Sequence, residues 1–346
     1  MKYHLLLKHE INDFIEILSK KMKVVAPVKK WGNSLAFEEI SCAEDIVVDG
    51  YVPTILPPKK YLMPQKETIL EFSMKNDGFD ENVVVLSEKM AIFGVRTCDL
   101  AGIQCLNIVM SDKPVDHHFI IRKENLFIIG VECLTYCDEY ASCCFVNSHL
   151  PNGGYDLFLT DIGDRYFVYV NTQEGEDLVE LFGLPQATSE DLKKLDLVRE
   201  NKKKIFKNEV GFEASKIPEI FDKAYNSKVW EDVALKCVSC GNCTNVCPTC
   251  YCFDMEDRVE INLISGKRIR SWDSCQFETF AKVAGGENFR KERSLRLRHR
   301  VYRKFKFPYD KFNRFFCTGC GRCSRSCMAG ISLKDILVKI SEEVKF

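Results

Sequence analysis

The chain has 346 residues, a formal net charge of -1, 46% hydrophobic residues and 18 cysteines. The length predicts about two domains with a sizeable core, and the near-neutral charge excludes a basic nucleic-acid-binding protein. The first residues hold no apolar run typical of a signal peptide, and the longest runs, such as Leu126–Val131, are too short to span a bilayer. We therefore expect a cytoplasmic protein with no membrane span, whose cysteines are not a disulfide framework.

The first 225 residues are predicted to form a mixed α/β domain. Within it, His9–Met22 carries apolar side chains at helical spacing and predicts an amphipathic helix. The proline-rich segment Pro53–Pro64 is predicted to be extended and exposed, because each proline removes a backbone donor and disfavours a helix before it. This segment is either a plain surface loop or a docking loop for a partner.

Two short apolar runs each lead to a cysteine. Lys89–Val95 precedes Cys98 and a helical pattern over Asp99–Met110, and Leu126–Val131 precedes Cys133. Strands that alternate with helices favour a parallel sheet, and sites in such sheets form at the carboxyl ends of the strands. We therefore expect Cys98 and Cys133 to lie at one edge of the sheet.

Further thiols follow Cys133 in the stretch C-L-T-Y-C-D-E-Y-A-S-C-C. With Cys98 and Cys133 they are enough for a third [4Fe-4S] cluster. The expected ligands are Cys98, Cys133, Cys137 and Cys144, and Cys143 is the alternative to Cys144. Cys105 is excluded as a helix-core residue. The other interpretation is that some of these cysteines are ordinary buried residues, which are common in protein cores.

The next segment predicts a hairpin and a polar helix. Asp156–Val170 alternates between apolar and polar residues on both sides of a Gly163-Asp164 turn. The pattern Thr188-x-x-Asp191 is typical of a capping box and predicts a solvent-facing helix over Ser189–Lys207. Residues 208–230 are predicted to lead into a second, cysteine-rich domain.

Two cysteine motifs dominate that second domain. The first is Cys237, Cys240, Cys243 and Cys247, with the C-x2-C-x2-C-x3-C-P spacing of a bacterial iron–sulfur site, and the second is Cys317, Cys320, Cys323 and Cys327. Two-residue gaps bring three thiolates to one side of a cubane, while the fourth cysteine ligates the neighbouring cluster in two-cluster ferredoxins. Zinc usually takes two separated pairs instead. Met328 replaces the proline in the second motif.

The paired motifs predict two [4Fe-4S] clusters with crossed ligation. One cluster would be held by Cys237, Cys240, Cys243 and Cys327. The other would be held by Cys317, Cys320, Cys323 and Cys247. The long stretch between the motifs is expected to be helix-rich, as in an α-helical ferredoxin domain. The predicted fold is therefore mixed α+β, with an α/β domain over residues 1–225 and a two-cluster α-helical ferredoxin domain over residues 226–346.

Three thiols and one basic segment remain. The thiols Cys250, Cys252 and Cys275 either complete another metal site with a distant ligand or are structural. Asn288–Lys306 predicts a helix with one arginine face, formed by Arg293, Arg296, Arg300 and Arg303. These arginines would offset the negative charge of reduced clusters and raise their potentials, bind an acidic partner, or simply face solvent.

The motifs together resemble a known family. The sequence C-x2-C-G-x-C-x3-C-P-T-C-Y-C is joined by R-x-W-D-S-C (Arg270 to Cys275), A-G-G-x-N-x-R (Ala284 to Arg290), R-L-R-H-R (Arg296 to Arg300) and C-x-G-C-G-R-C (Cys317 to Cys323). This set resembles the iron–sulfur subunit of anaerobic sulfite reductase and, equally, the beta subunit of nickel–iron sulfhydrogenases. The resemblance extends to Thr54–Lys60, Pro64–Thr68 and Gly94–Asp99.

The resemblance implies an electron-transfer subunit with two partners, a flavoprotein reductase subunit and a catalytic reductase or hydrogenase subunit. It also implies an N-terminal cysteine set around Cys98 and Cys133. The chain shows no glycine-rich dinucleotide or phosphate-binding loop of its own. Two rival hypotheses are an enzyme that reduces a small sulfur compound at an extra cluster, and a zinc-held scaffold that assembles partners.

Overall fold

The computed structural model describes residues 3–40, 42–75, 78–208 and 210–345. The strands are β1 (Tyr3–Leu7), β2 (Lys23–Lys29), β3 (Leu35–Glu39), β4 (Lys66–Lys75), β5 (Gly78–Val83), β6 (Met90–Arg96), β7 (Leu126–Val131), β8 (Leu157–Asp161), β9 (Arg165–Val170), β10 (Phe253–Val259) and β11 (Ser265–Trp272). The helices are α1 (Ile11–Lys21), α2 (Lys59–Leu62), α3 (Thr97–Met110), α4 (His117–Glu124), α5 (Gln173–Phe182), α6 (Ser189–Ile205), α7 (Ile217–Lys223), α8 (Val229–Ala234), α9 (Asn242–Asn245), α10 (Arg293–Phe305), α11 (Phe307–Phe312), α12 (Arg322–Arg325) and α13 (Leu333–Glu343). Short 3-10 turns lie at Lys8–Glu10, Ala43–Asp45, Ala214–Lys216 and Thr279–Ala281.

The larger sheet has the order β1-β9-β8-β7-β6-β2-β3. Its centre is parallel, because β2 pairs with β6, β6 with β7, and β7 with β8 in that orientation. The apolar runs of β6 and β7 are buried on both faces, as is usual when helices cover a parallel sheet. This sheet confirms the parallel arrangement predicted from the alternating strands and helices.

The smaller sheet joins the N-terminal region to the segment between the two cysteine motifs. Its order is β10-β11-β4-β5, so β11, from between the cysteine motifs, pairs antiparallel with β4 from the N-terminal region. The stretch between the cysteine motifs, which was expected to be helix-rich, therefore begins with two strands and contains helices only in its second half. Residue pairs such as Arg268 with Leu70 join two strands that lie far apart in the sequence.

A helical core carries the second domain. α7, α8, α10 and α13 pack around buried apolar side chains that include Ile217, Trp230 and Val301. The Tyr302 hydroxyl donates a hydrogen bond to the Phe221 carbonyl oxygen over 2.7 Å, which fixes α10 against α7. Because α7 belongs to this core, the helical packing begins before residue 226. The division between residues 225 and 226 stays a prediction.

Several local predictions are confirmed. α1 covers the predicted amphipathic helix, β7 has the predicted limits, and β8 and β9 form the predicted hairpin. Thr188 and Asp191 form the predicted capping box of α6. The prediction that α6 faces solvent is wrong in part, because Lys202 is buried in an ion pair with Glu132 over 2.7 Å.

The proline-rich segment differs from its prediction. Residues 53–64 were expected to be exposed, yet Thr54 is 0% exposed and Leu62 is buried at the end of α2. The Thr54 carbonyl oxygen accepts a hydrogen bond from Arg322 Nε over 2.8 Å. The segment thus lies against the second cysteine motif, and this contact with a distant part of the chain supplies the burial that its composition did not predict.

Across the part of the chain that the structure describes, the helices are too short or too polar to cross a bilayer.

Candidate metal centres

Each cysteine motif folds into the same turn and short helix. Gly241 and Gly321 have positive φ angles of 76° and 72°, and each precedes one turn of helix, α9 and α12 respectively. Asn242 Nδ2 donates a hydrogen bond to the Ser326 carbonyl oxygen over 3.3 Å, so the two turns lie side by side. This arrangement brings the last cysteine of each motif near the other motif.

Two neighbouring cavities lie between these turns. The first is lined by thiols of both motifs, which include Cys237, Cys240, Cys243 and Cys327. The second is lined by Cys247, Cys317, Cys320 and Cys323. Cys323 also borders the first cavity. The structure therefore brings together the two sets named for crossed ligation.

The donor chemistry of both cavities fits [4Fe-4S] clusters. Thiolates are the ligands of such clusters, and each cavity offers four cysteines. Burial raises the pKa of Cys317 to about 12 and that of Cys243 to about 11, so these thiols would stay protonated unless iron replaced the proton. Within residues 3–40, 42–75, 78–208 and 210–345, no three Cys, His, Asp or Glu side chains are arranged to hold a single metal ion.

The basic helix α10 supplies positive charge to both cavities. Arg296, Arg300 and Lys304 are buried at successive i+4 positions on its inner side. Arg300 Nη2 donates to the Cys243 carbonyl oxygen over 3.1 Å, and Lys304 Nζ donates to Thr249 Oγ1 over 2.7 Å. The solvent-facing interpretation is therefore wrong for this side of the helix. The buried face of the helix also differs from the predicted arginine face at one position, because Lys304 is buried on it in place of Arg303.

The cysteine thiolates of the cluster sites and the cations of α10 stabilise each other electrostatically. Burial alone would lower the pKa of Lys304, but the thiolates of Cys247 and Cys250 outweigh it and raise that pKa above its ordinary value. Thr249 Oγ1 lies 3.3 Å from Cys247 Sγ and accepts the Lys304 hydrogen bond, which links the cation to the thiol. An anionic thiolate set thus has built-in countercharge.

The N-terminal thiols meet at the carboxyl edge of the larger sheet. Arg96 at the end of β6 lies opposite Val131 at the end of β7, so Cys98 and Cys133 leave the sheet at one edge, as predicted. Burial raises the pKa of Cys98, and the neighbouring Asp99, Cys320 and Cys133 side chains raise it further. This set therefore lies beside the second cavity.

Cys143 lies near the other N-terminal thiols, and Cys144 follows it directly in the chain. Burial raises the pKa of the Cys143 thiol above its ordinary value, and the neighbouring Cys133 and Cys137 side chains raise it further. Cys144 adds only a smaller effect on Cys143. Cys105, excluded as a ligand, is buried in α3 with its Sγ 3.7 Å from the Phe315 carbonyl oxygen.

A buried ion pair joins the second cysteine motif to the segment that carries Cys98. Arg322 and Asp99 form two parallel bonds, Nη1 to Oδ1 at 2.5 Å and Nη2 to Oδ2 at 2.8 Å. The two side chains are only 2% and 0% exposed. Asp99 follows Cys98 in the chain, and Arg322 lies between Cys320 and Cys323, so the pair ties the two thiol sets together.

Sequence reasoning missed this ion pair and two buried lysines. Lys304 follows Arg296 and Arg300 at i+4 spacing, which was a usable signal. Lys59 Nζ donates a hydrogen bond to the Cys250 carbonyl oxygen over 2.8 Å. Its position in the sequence P-P-K-K was the only feature that could have drawn attention to it. Nothing in the local sequence pairs Asp99 with Arg322, because they are joined only by the tertiary fold.

A substitution at Gly319 tests how closely the second cysteine motif packs against Ser142. Its φ is +59°, and a Cβ there would overlap the Ser142 carbonyl carbon and oxygen. Gly319→Ala is therefore expected to lower the free energy of unfolding by at least about 1–3 kcal/mol of backbone strain and to release the iron of one cluster. Urea unfolding and iron analysis measure both effects.

Gly285→Ala is the matched control for this change. A Cβ at Gly285 meets nothing within 4 Å and its backbone needs no left-handed conformation. That variant should keep its iron and its unfolding midpoint. If Gly319→Ala behaves like Gly285→Ala, the close approach of the second motif to Ser142 is not present in the protein.

These features define the class of protein: an iron–sulfur protein with two cysteine-ligated cluster sites. The family model described as a 4Fe-4S dicluster domain matches residues 236–331, which implies two [4Fe-4S] clusters. The chain is also 35% identical over 347 residues to sulfhydrogenase 2 subunit beta of Pyrococcus furiosus, with 99% of each chain covered. The chain belongs to the sulfhydrogenase beta subunit family. This confirms the resemblance to that family, and no solved structure matches the chain.

Proposed function

We propose that this chain is the electron-transfer subunit of a cytoplasmic multisubunit redox complex. It relays single electrons between a subunit that carries flavin and uses NAD(P)H and a terminal hydrogenase or reductase. A hydrogenase is the favoured terminal partner, because the relative is named as part of a sulfhydrogenase. The observation that carries the proposal is the series of adjacent thiol sets.

The series supports a relay from the surface to the larger sheet. Cys240 is exposed at the first cavity, and Cys323 borders both the first and the second cavity. Beyond them, Cys320 of the second set influences the pKa of Cys98 and of Cys137. Clusters in such neighbouring sites would pass electrons stepwise without any substrate site.

The proposed ligands follow from these surroundings. The first cluster takes Cys237, Cys240, Cys243 and Cys327, and the second takes Cys247, Cys317, Cys320 and Cys323. A third [4Fe-4S] cluster takes Cys98, Cys133, Cys137 and one of the two adjacent thiols Cys144 and Cys143. When bound, the clusters supply one-electron chemistry, and the residues of α10 offset their charge.

Cys240→Ser in the assembled complex tests the relay. The variant removes the exposed thiol of the first set, so electron transfer from NAD(P)H to the terminal acceptor should fall to background. The two half-reactions, NAD(P)H oxidation by an artificial acceptor at the flavin and turnover of the terminal subunit with an artificial donor, should be unchanged. Cys42→Ser, at an exposed thiol outside all three sets, is the control.

Overall transfer that persists at the control rate in Cys240→Ser would contradict the relay through this chain. Loss of a half-reaction would place Cys240 in a partner's own chemistry and would also contradict it.

A further inference from the structure

A separate cavity of 330 Å³ holds three of the thiols that the cluster sites do not use. Its thiols are Cys250, Cys252 and Cys275. Apart from Thr249, the surrounding wall is aromatic and cationic, with Tyr251, Phe253, Phe280, His299, Arg300, Arg303 and Lys304. A cavity of this size admits a small organic molecule as well as water.

Cys252 and Cys275 form a pair within this cavity. The backbone amide of Asp273 donates to the Cys252 carbonyl oxygen over 3.0 Å, and β10 and β11 begin their pairing at the next residue, so the two cysteines are held together. The two thiols are close enough that each changes the pKa of the other. Gln276 Nε2 donates a further hydrogen bond to Cys275 Sγ over 3.6 Å.

The charge around the pair favours one thiolate. The neighbouring Cys275 thiol lowers the pKa of Cys252 to about 6, and the cations Lys304 and Lys59 contribute to the decrease. Cys252 in turn raises the pKa of Cys275. One nucleophilic thiolate beside one protonated thiol is the arrangement of a reactive dithiol.

The cavity wall also selects the charge of a ligand. Arg303 stacks on the Tyr251 ring at 4.9 Å from the ring centroid, which fixes its guanidinium on the wall. Lys304 and Arg300 lie on the same wall, whereas the wall contains no carboxylate among its described residues. Such a site attracts an anion and holds its organic part against Tyr251 and Phe280.

We propose that Cys252 and Cys275 are a redox-active dithiol that reduces a small anionic organic disulfide in this cavity. This activity goes beyond electron relay, and it rests on the proposed function for its electrons. Cys250 connects this cavity to the relay, because it lines the cavity and its pKa is raised by the nearby Cys247 of the second set.

The reaction has two exchange steps and one reduction. The Cys252 thiolate attacks one sulfur of the disulfide R–S–S–R, forms Cys252–S–S–R and releases one thiolate RS⁻. The Cys275 sulfur then loses its proton to water, attacks Cys252 Sγ, forms the Cys252–Cys275 disulfide and releases the second RS⁻. Two electrons, delivered singly by the relay, and one proton return the pair to its starting state. The net change is R–S–S–R plus two electrons giving two RS⁻.

The test uses the anaerobically purified full chain and oxidised glutathione, an anionic disulfide. After the reaction, free thiols are blocked and the cysteines are mapped by peptide mass spectrometry. The wild type should contain a Cys252–Cys275 disulfide without a glutathione adduct. Cys275→Ser should instead hold one glutathione on Cys252, because the resolving thiol is gone. Cys42→Ser, the control, should match the wild type.

A second arm compares oxidised glutathione with the uncharged 2-hydroxyethyl disulfide. The anionic probe should form the disulfide faster, by at least about tenfold at low salt. Equal rates would overturn the assignment of an anionic substrate. Adducts confined to Cys42, or no Cys252–Cys275 disulfide in the wild type, would overturn the dithiol.

Iron analysis of the same samples separates this inference from the relay, because thiol exchange with glutathione needs no iron. Cys275→Ser and Cys252→Ser should keep the iron content of Cys42→Ser. If they lose iron, the thiols are cluster ligands and the dithiol proposal is wrong.

Discussion

Cys247→Ser is expected to lose about four irons per chain, the content of one [4Fe-4S] cluster, and to keep the rest. Cys247 is buried in the second cavity beside Cys317 and Cys320, although in sequence it belongs to the first motif. A serine hydroxyl is a much poorer iron ligand than a thiolate, and the buried cavity offers the cluster little else. Iron analysis of anaerobically purified protein measures the loss.

Pairs of substitutions distinguish crossed from uncrossed ligation. If ligation is crossed, Cys247→Ser combined with Cys320→Ser affects one cluster and removes about four irons, whereas Cys247→Ser combined with Cys240→Ser affects two and removes about eight. Uncrossed ligation predicts the reverse order. Cys42→Ser is again the control, since this exposed thiol lies outside every set and its loss should remove no iron.

Asp99→Ala is expected to lower the free energy of unfolding by about 3–5 kcal/mol, because it leaves the buried charge of Arg322 without a partner. The pair is bidentate and almost fully excluded from solvent, and Arg322 also donates to the Thr54 carbonyl oxygen. The loss should separate the proline-rich segment and the N-terminal thiols from the second motif. The urea unfolding midpoint measures it.

Two further variants test whether the loss of stability in Asp99→Ala comes from the unpaired buried charge of Arg322. Asp257→Ala breaks the exposed pair with Arg268 and should cost no more than about 1 kcal/mol. Asp99→Leu combined with Arg322→Met removes both buried charges and should recover much of the loss of Asp99→Ala. An Asp99→Ala midpoint equal to that of Asp257→Ala would contradict the buried pair.

Local sequence patterns predicted the elements and the two cluster motifs well. β7 and the capping box of α6 are found where predicted, because each depends on residues close together in the chain. The cysteine spacing likewise led to the two thiol sets that line the first two cavities, since the turn geometry is encoded within each motif.

Long-range contacts account for what the sequence did not predict. The pairing of β11 with β4 joins segments almost two hundred residues apart, and neither segment carries a signal for the other. The burial of the proline-rich segment depends on Arg322 in the same way. For α10, helical periodicity predicted the basic face, but only packing on the motifs decided that Arg296, Arg300 and Lys304 point inward.

Iron content combined with electron paramagnetic resonance of the reduced protein tests the central claim most directly. The chain, purified and reduced without oxygen, should contain at least eight irons, since two [4Fe-4S] clusters hold four each. It should also show the signals of reduced [4Fe-4S] clusters, and a count near twelve would support the third. Fewer than eight irons in intact protein, or zinc in place of iron, would contradict an iron–sulfur relay.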